Sequence, residues 1–119
     1  MRTLAVLAVL CLTFSGSCGG SPTSPSPLPA WVGVLIAKFQ SAPVGNPPQS
    51  IYRYTYHGQT VYYVPPQCCD QPGTLYDATG RLMCAPDGGV TGAGDQRCPD
   101  FFEQRTNEVL DWRDTRPIT

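Results

Sequence analysis

Ile51-Tyr52-Arg53-Tyr54-Thr55-Tyr56-His57-Gly58-Gln59-Thr60-Val61-Tyr62-Tyr63-Val64 decides the fold. Aromatic and β-branched residues fill this stretch, and they suit a pleated, half-buried surface. His57-Gly58 interrupts it, and glycine supplies the positive φ that a two-residue hairpin turn demands. Folding the chain there sets Tyr56 opposite Gln59, Tyr54 opposite Val61 and Tyr52 opposite Tyr63. A side-chain period of two then gathers Tyr52, Tyr54, Tyr56, Val61 and Tyr63 on one face. Ile51, Arg53, Thr55, Thr60, Tyr62 and Val64 take the other. Pro65-Pro66 ends the second strand, because proline has no ladder donor.

The flanks supply the rest of an α+β domain. Upstream, Pro29-Ala30-Trp31 opens a helix that runs to about Ser41. Val32, Leu35, Ile36 and Phe39 form one apolar stripe along it. Downstream, Asp77-Ala78-Thr79-Gly80 suits a type I turn, so residues 74–84 read as a second hairpin. Asp100 and Glu103 have the spacing of a capping box for a short helical turn. Residues 107–113 suit a last strand with Leu110 and Trp112 pointing inward. The expected architecture is an N-terminal helix packed on a small, mostly antiparallel sheet. The tyrosine-rich face is assigned to the core, because the helix stripe needs a sheet to cover.

Met1-Arg2-Thr3 and the apolar run from Leu4 to Phe14 read as an export signal over residues 1–17. The run is shorter than the about 20 residues a membrane-spanning helix needs. Ser17-Cys18-Gly19-Gly20 resembles the lipobox of bacterial lipoproteins, although Ser15 stands where that motif usually has Leu. The resemblance implies a lipid-modified Cys18 and a membrane-surface location; cleavage without lipidation implies secretion. Residues 18–29 are rich in Pro and Ser and read as a tether, with one domain over 30–119.

Cys68, Cys69, Cys84 and Cys98 remain in that domain, and an exported chain uses such a set as disulfides. A Cys68–Cys69 ring would be strained. The expectation is therefore two disulfides, with Cys68 and Cys69 each reaching one of Cys84 and Cys98. Zinc is disfavoured by the missing C-x₂₋₄-C spacing, and thiol redox chemistry by the missing C-x-x-C.

Eight Lys and Arg stand against nine Asp and Glu, with no basic concentration, so nucleic acid is excluded as a partner. His57 is the only histidine and sits in a turn; no nucleophile motif accompanies it. The chain reads as non-enzymatic, with no cofactor. Asp87, Asp95 and Asp100, around a glycine-rich loop, are weak candidates for a cation, since Ca²⁺ takes six to eight oxygens. Their simpler role is to cap backbone amides in a turn-rich loop.

Two resemblances bear on function. Val64 to Asp70 resembles fragments of Bowman–Birk protease inhibitors, whose loop closes through a cysteine eight residues earlier; here that residue is Thr60. Over a longer span, Tyr54-Thr55-Tyr56-His57-Gly58 through Tyr63, Cys68-Cys69-Asp70, the 84–95 segment and Cys98-Pro99-Asp100-Phe101 together resemble a family of small uncharacterised bacterial secreted or lipoprotein domains. That resemblance implies the compartment and the cysteine framework, and no activity. The reading is an exported binding module for an unidentified protein or envelope component, with the stapled loop region from Asp70 to Asp100, together with Arg53 and Tyr62, as candidate surface. A protease inhibitor and a cation-dependent binder are the alternatives.

Overall fold

The computed structural model describes residues 16, 19–20, 26–68 and 70–119. Most of the export signal, together with Cys18 and Cys69, lies outside them. Helix α1 (Ala30–Gln40) precedes β1 (Ser50–Tyr56), β2 (Gln59–Val64), β3 (Thr74–Asp77) and β4 (Leu82–Cys84). A single-turn helix α2 (Phe101–Gln104) and strand β5 (Thr106–Arg113) follow. All pairings are antiparallel, in the order β4-β3-β2-β1-β5. Among the described residues no helix is long and apolar enough to cross a membrane.

The hairpin register is the one expected: Tyr52 faces Tyr63, Tyr54 faces Val61 and Tyr56 faces Gln59. His57 and Gly58 both have positive φ (49° and 74°), the signature of a type I′ turn. Its twist matches that of the strands it joins, and this fixes the register.

The two faces of the sheet are covered differently from the expectation. Helix α1 lies on the face of Ile51, Tyr62 and Val64, not on the tyrosine face. Val32 is fully buried there. Trp31 meets Tyr62 edge-on at 5.1 Å, and Phe39 stacks on Trp112 at 6.0 Å. The Trp31 indole donates to the Ala78 carbonyl at 3.0 Å. Gly80 is required beneath it: its φ is +88°, and a Cβ would stand 2.7 Å from the indole ring. At the other end of α1, Arg116 donates to the carbonyls of Phe39, Gln40 and Ala42 while pairing with the buried Asp114. A cation at a helix C-terminus satisfies orphan carbonyls and opposes the macrodipole.

The tyrosine face is covered by the chain between β4 and β5. Phe101 of α2 is fully buried against Tyr54, Tyr56 and Tyr63, with Cys84 and Cys98 in the same cluster. Both faces of the sheet are apolar, so alternation alone did not say which layer covers which.

Three local expectations are corrected. First, Cys84 bonds to Cys98, with Cα atoms 6.1 Å apart, so neither reaches Cys68 or Cys69. The intervening loop folds back because Asp95 accepts from the Ala85 and Arg97 amides. Cys68 is itself disulfide-bonded, to neither of these two; the one complete pair among the described residues is Cys84–Cys98. Second, Leu110 does not share a face with Trp112. Tyr52 pairs with Leu110 and Ile51 with Trp112, so a bulge at Asp111 puts the two on opposite faces and leaves Leu110 45% exposed. Third, Asp100 makes no side-chain cap to α2, because its carboxylate is taken by Tyr56 and His57.

Candidate functional site

The tyrosine face looks chemically rich and is closed over its centre. Tyr63 donates to Asp87 at 2.7 Å, Tyr56 to Asp100 at 2.6 Å, and Tyr54 to Glu108. Burial, then the neighbouring carboxylate, pushes the Tyr56 phenol up to about 12. The same two causes raise Tyr54 and Tyr63 further. These phenols stay protonated and act as donors. The Tyr56 and His57 hydrogen bonds, in turn, hold the Asp100 carboxyl below the usual carboxylate range. Arg105 caps the cluster, 4.8 Å over the Tyr54 ring and 4.6 Å over Phe102.

His57 and Asp100 sit at the rim, with Nε2 2.7 Å from the carboxylate. Such a dyad orients an imidazole, and nucleophilic catalysis further needs a hydroxyl or thiol within reach of it. Among the described residues the hydrogen-bond partner of His57 is Asp100. The dyad therefore ties the hairpin tip to the start of α2.

The glycine-rich loop is a hydrogen-bonded structure in its own right. Gly73 donates to Asp87, Gly89 to Gln71 and Gly94 to Gly88 through the backbone. A Cβ at Gly94 would fall 1.9 Å from the Ala85 carbonyl oxygen, so only glycine passes there. Of the three candidate aspartates, only Asp95 caps backbone amides, those of Ala85 and Arg97; Asp87 accepts from Tyr63, and Asp100 is taken by Tyr56 and His57. Among the described residues no three His, Cys, Asp or Glu side chains gather as a metal site.

The concave surface lies on the opposite face, where α1 stops short of covering the sheet. A hollow of about 490 Å³ opens between the last turns of α1 and the 65–74 loop. Leu35, Phe39, Val64 and Tyr76 form apolar walls; Lys38, Gln49, Gln67 and Gln71 are polar. A second hollow of about 420 Å³ borders the same Pro65 and Gln67 but opens on the tyrosine side of the sheet, where Pro47, Pro48, Pro66, Tyr52 and Arg113 line it. The first volume falls in the range of small-molecule sites, and its mix of apolar wall and few polar groups is typical of them. Among the described residues no acidic side chain lines either hollow. The Gln49 side-chain oxygen is buried with no hydrogen-bond partner among the described residues.

The residues singled out from sequence scatter around this groove. Tyr62 is 3% exposed and belongs to the core under α1, so it offers no surface. Arg53 is largely buried and pairs with Asp111 at 3.1 Å; burial pushes that carboxyl up, against the pull of Arg53. Asp70 is exposed, in the loop between Gln67 and Gln71. Lys38 and the three glutamines went unmarked in the sequence. The one available signal was that Lys38, the chain's sole lysine, sits in the last turn of a mostly apolar helix.

A model of a domain of unknown function, DUF6970, matches residues 37–114, from inside α1 through all five strands. The chain belongs to the DUF6970 family. The match takes in the second hollow, the first except for Leu35, and the Cys84–Cys98 bridge of the DUF6970 domain, and stops before the Arg116 clamp. No curated protein and no solved structure matches the chain.

Proposed function

We propose that this DUF6970 chain is an exported, non-enzymatic binding module of the cell envelope, carried on a membrane surface by a lipid at Cys18. The observation that carries the binding role is the pair of hollows at one end of the sheet. They are open, walled by proline and aromatic rings, and furnished with amides, the Lys38 ammonium and the Arg113 guanidinium, groups that hold a ligand. The apolar run of residues 4–14, the lipobox-like Cys18 and the Pro/Ser tether support export and anchoring. The Cys84–Cys98 bridge agrees with an oxidising compartment.

The test has two arms. The full chain, expressed in a bacterium fed an alkyne fatty acid, takes the label and fractionates with membranes; Cys18→Ala does neither. An unlabelled, soluble wild type removes the anchor. In the second arm, fragments from a mixed library shift the NMR resonances of Lys38, Gln49 and Gln67. A groove silent to every fragment removes the binding role.

A further inference from the structure

We infer that the second hollow, at the Tyr52 end of the tyrosine face, binds an aryl carboxylate, with the carboxylate held by Arg113, Tyr52 and Ser50. This deepens the binding role proposed above and rests on it. Arg113 ends β5 and lines the hollow, and among the described residues it makes no salt bridge. The carboxylates near it in sequence are already taken. Glu108 accepts from Tyr54, Asp111 pairs with Arg53, and Asp114 pairs with Arg116. The charge of Arg113 is thus left for something outside the chain, and its planar fork matches a carboxylate.

Two hydroxyls stand beside it. The Tyr52 hydroxyl accepts from Arg113 at 2.8 Å, so its own proton remains to be donated. Ser50 is the cross-strand partner of Arg113 and lines the same hollow. It is 7% exposed, and its hydroxyl has no hydrogen-bond partner among the described residues. Unlike the sealed Gln49 oxygen, the Ser50 oxygen keeps accessible surface. A nearly buried hydroxyl is ordinarily satisfied, so its partner is whatever enters the hollow. One guanidinium and two hydroxyl donors, with no acidic side chain among the lining, make a receptor for an oxyanion.

The rest of the wall selects the body that carries the anion. Pro47, Pro48, Pro65 and Pro66 give flat apolar contact and no backbone N–H. An aromatic ring fills such a slot. A single guanidinium offsets a single negative charge, and a phosphate dianion would leave charge unpaired against the prolines, which is costly. Gln67 donates to the Pro47 carbonyl at 2.8 Å and ties the two proline segments together. The walls are set before a ligand arrives, which lowers the ordering cost of binding.

The purified full chain, labelled with nitrogen-15, is titrated with benzoate, benzamide and inorganic phosphate, and the Arg113 side-chain N–H and the Ser50 and Tyr52 amides are followed by NMR. Benzoate binds about fivefold tighter than benzamide, the scale of a partly exposed ion pair, and tighter than phosphate. Arg113→Gln abolishes the difference between benzoate and benzamide. Ser50→Ala, which leaves Arg113 and Tyr52 in place, weakens benzoate about threefold, the scale of one hydrogen bond. Equal affinities for benzoate and benzamide, a difference that survives Arg113→Gln, or undiminished benzoate binding by Ser50→Ala overturns the inference. Phosphate binding tighter than benzoate overturns it as well. A second hollow silent to benzoate while fragments still shift Lys38 overturns it and leaves the binding role. Silence from both hollows overturns the two together.

Discussion

The two faces of one sheet are finished in opposite ways. On the tyrosine face, the chain after β4 folds back as a lid. Phe101 plugs the centre, the Cys84–Cys98 bridge holds the lid's base, and three phenol–carboxylate pairs close its edges. On the other face, α1 covers the sheet from Trp31 to Phe39 and then ends, leaving the hollow beside Lys38. The centre of the face richest in titratable groups is thus sealed, and that face opens only at its Tyr52 end. The α1 face stays open beside Lys38, among plain amides. Chemical richness in a sequence marks a site only when the fold leaves it accessible.

Phe101→Ala tests whether the lid is structural. A fully buried Phe truncated to Ala costs about 4 kcal/mol; Val32→Ala, fully buried under α1, costs about 1.5 kcal/mol. Urea unfolding should show that order. An equal loss for the two would mean the tyrosine face repacks around the gap, and the lid would not be the rigid half.

Opening the Cys84–Cys98 bridge comes next. Its sequence separation of 14 corresponds to about 3 kcal/mol on the chain-entropy model. A Cys84→Ala, Cys98→Ala double variant should melt well below the wild type while its groove still binds fragments. Loss of fragment binding at full folding would tie the two faces together, against the division drawn here.

The gentlest probe is alkali. Tyr56 has a raised pKa, so its contribution is fully present below the ordinary phenol value of about 10. It is lost as pH rises through about 12. Tyr54 and Tyr63 shift the same way. The wild-type urea midpoint should fall between pH 10 and pH 12. Tyr56→Phe should cost about 1 kcal/mol at neutral pH and show a shallower alkaline fall. Parallel falls would show that the Tyr56 phenol is not a structural donor.

Sequence carried the hairpin completely, because a two-residue turn of His57-Gly58 leaves one register and alternation follows from it. It carried α1 and the 74–84 hairpin for similarly local reasons: an apolar stripe, and an Asp77 side chain that accepts from the Thr79 and Arg81 amides. It failed where distant segments compete. Four cysteines allow three pairings, and only the fold-back of the glycine-rich loop selects Cys84 with Cys98. The bulge at Asp111 reversed Leu110, since one extra residue inverts every later side chain. The groove was invisible because it is defined by where α1 stops, and its residues come from four separate stretches.

The double fastening of α1 has a mechanical consequence. Trp31 hooks it to the 78–80 turn and Arg116 grips its far end, so the helix spans the sheet like a strap buckled on both sides. A pull on the chain at residue 29 loads the tryptophan buckle first and the arginine buckle last. The hollow beside Lys38 is at the last-loaded end. In a domain dragged by its leading end, the walls of that hollow would hold their shape until the strap had peeled almost entirely away.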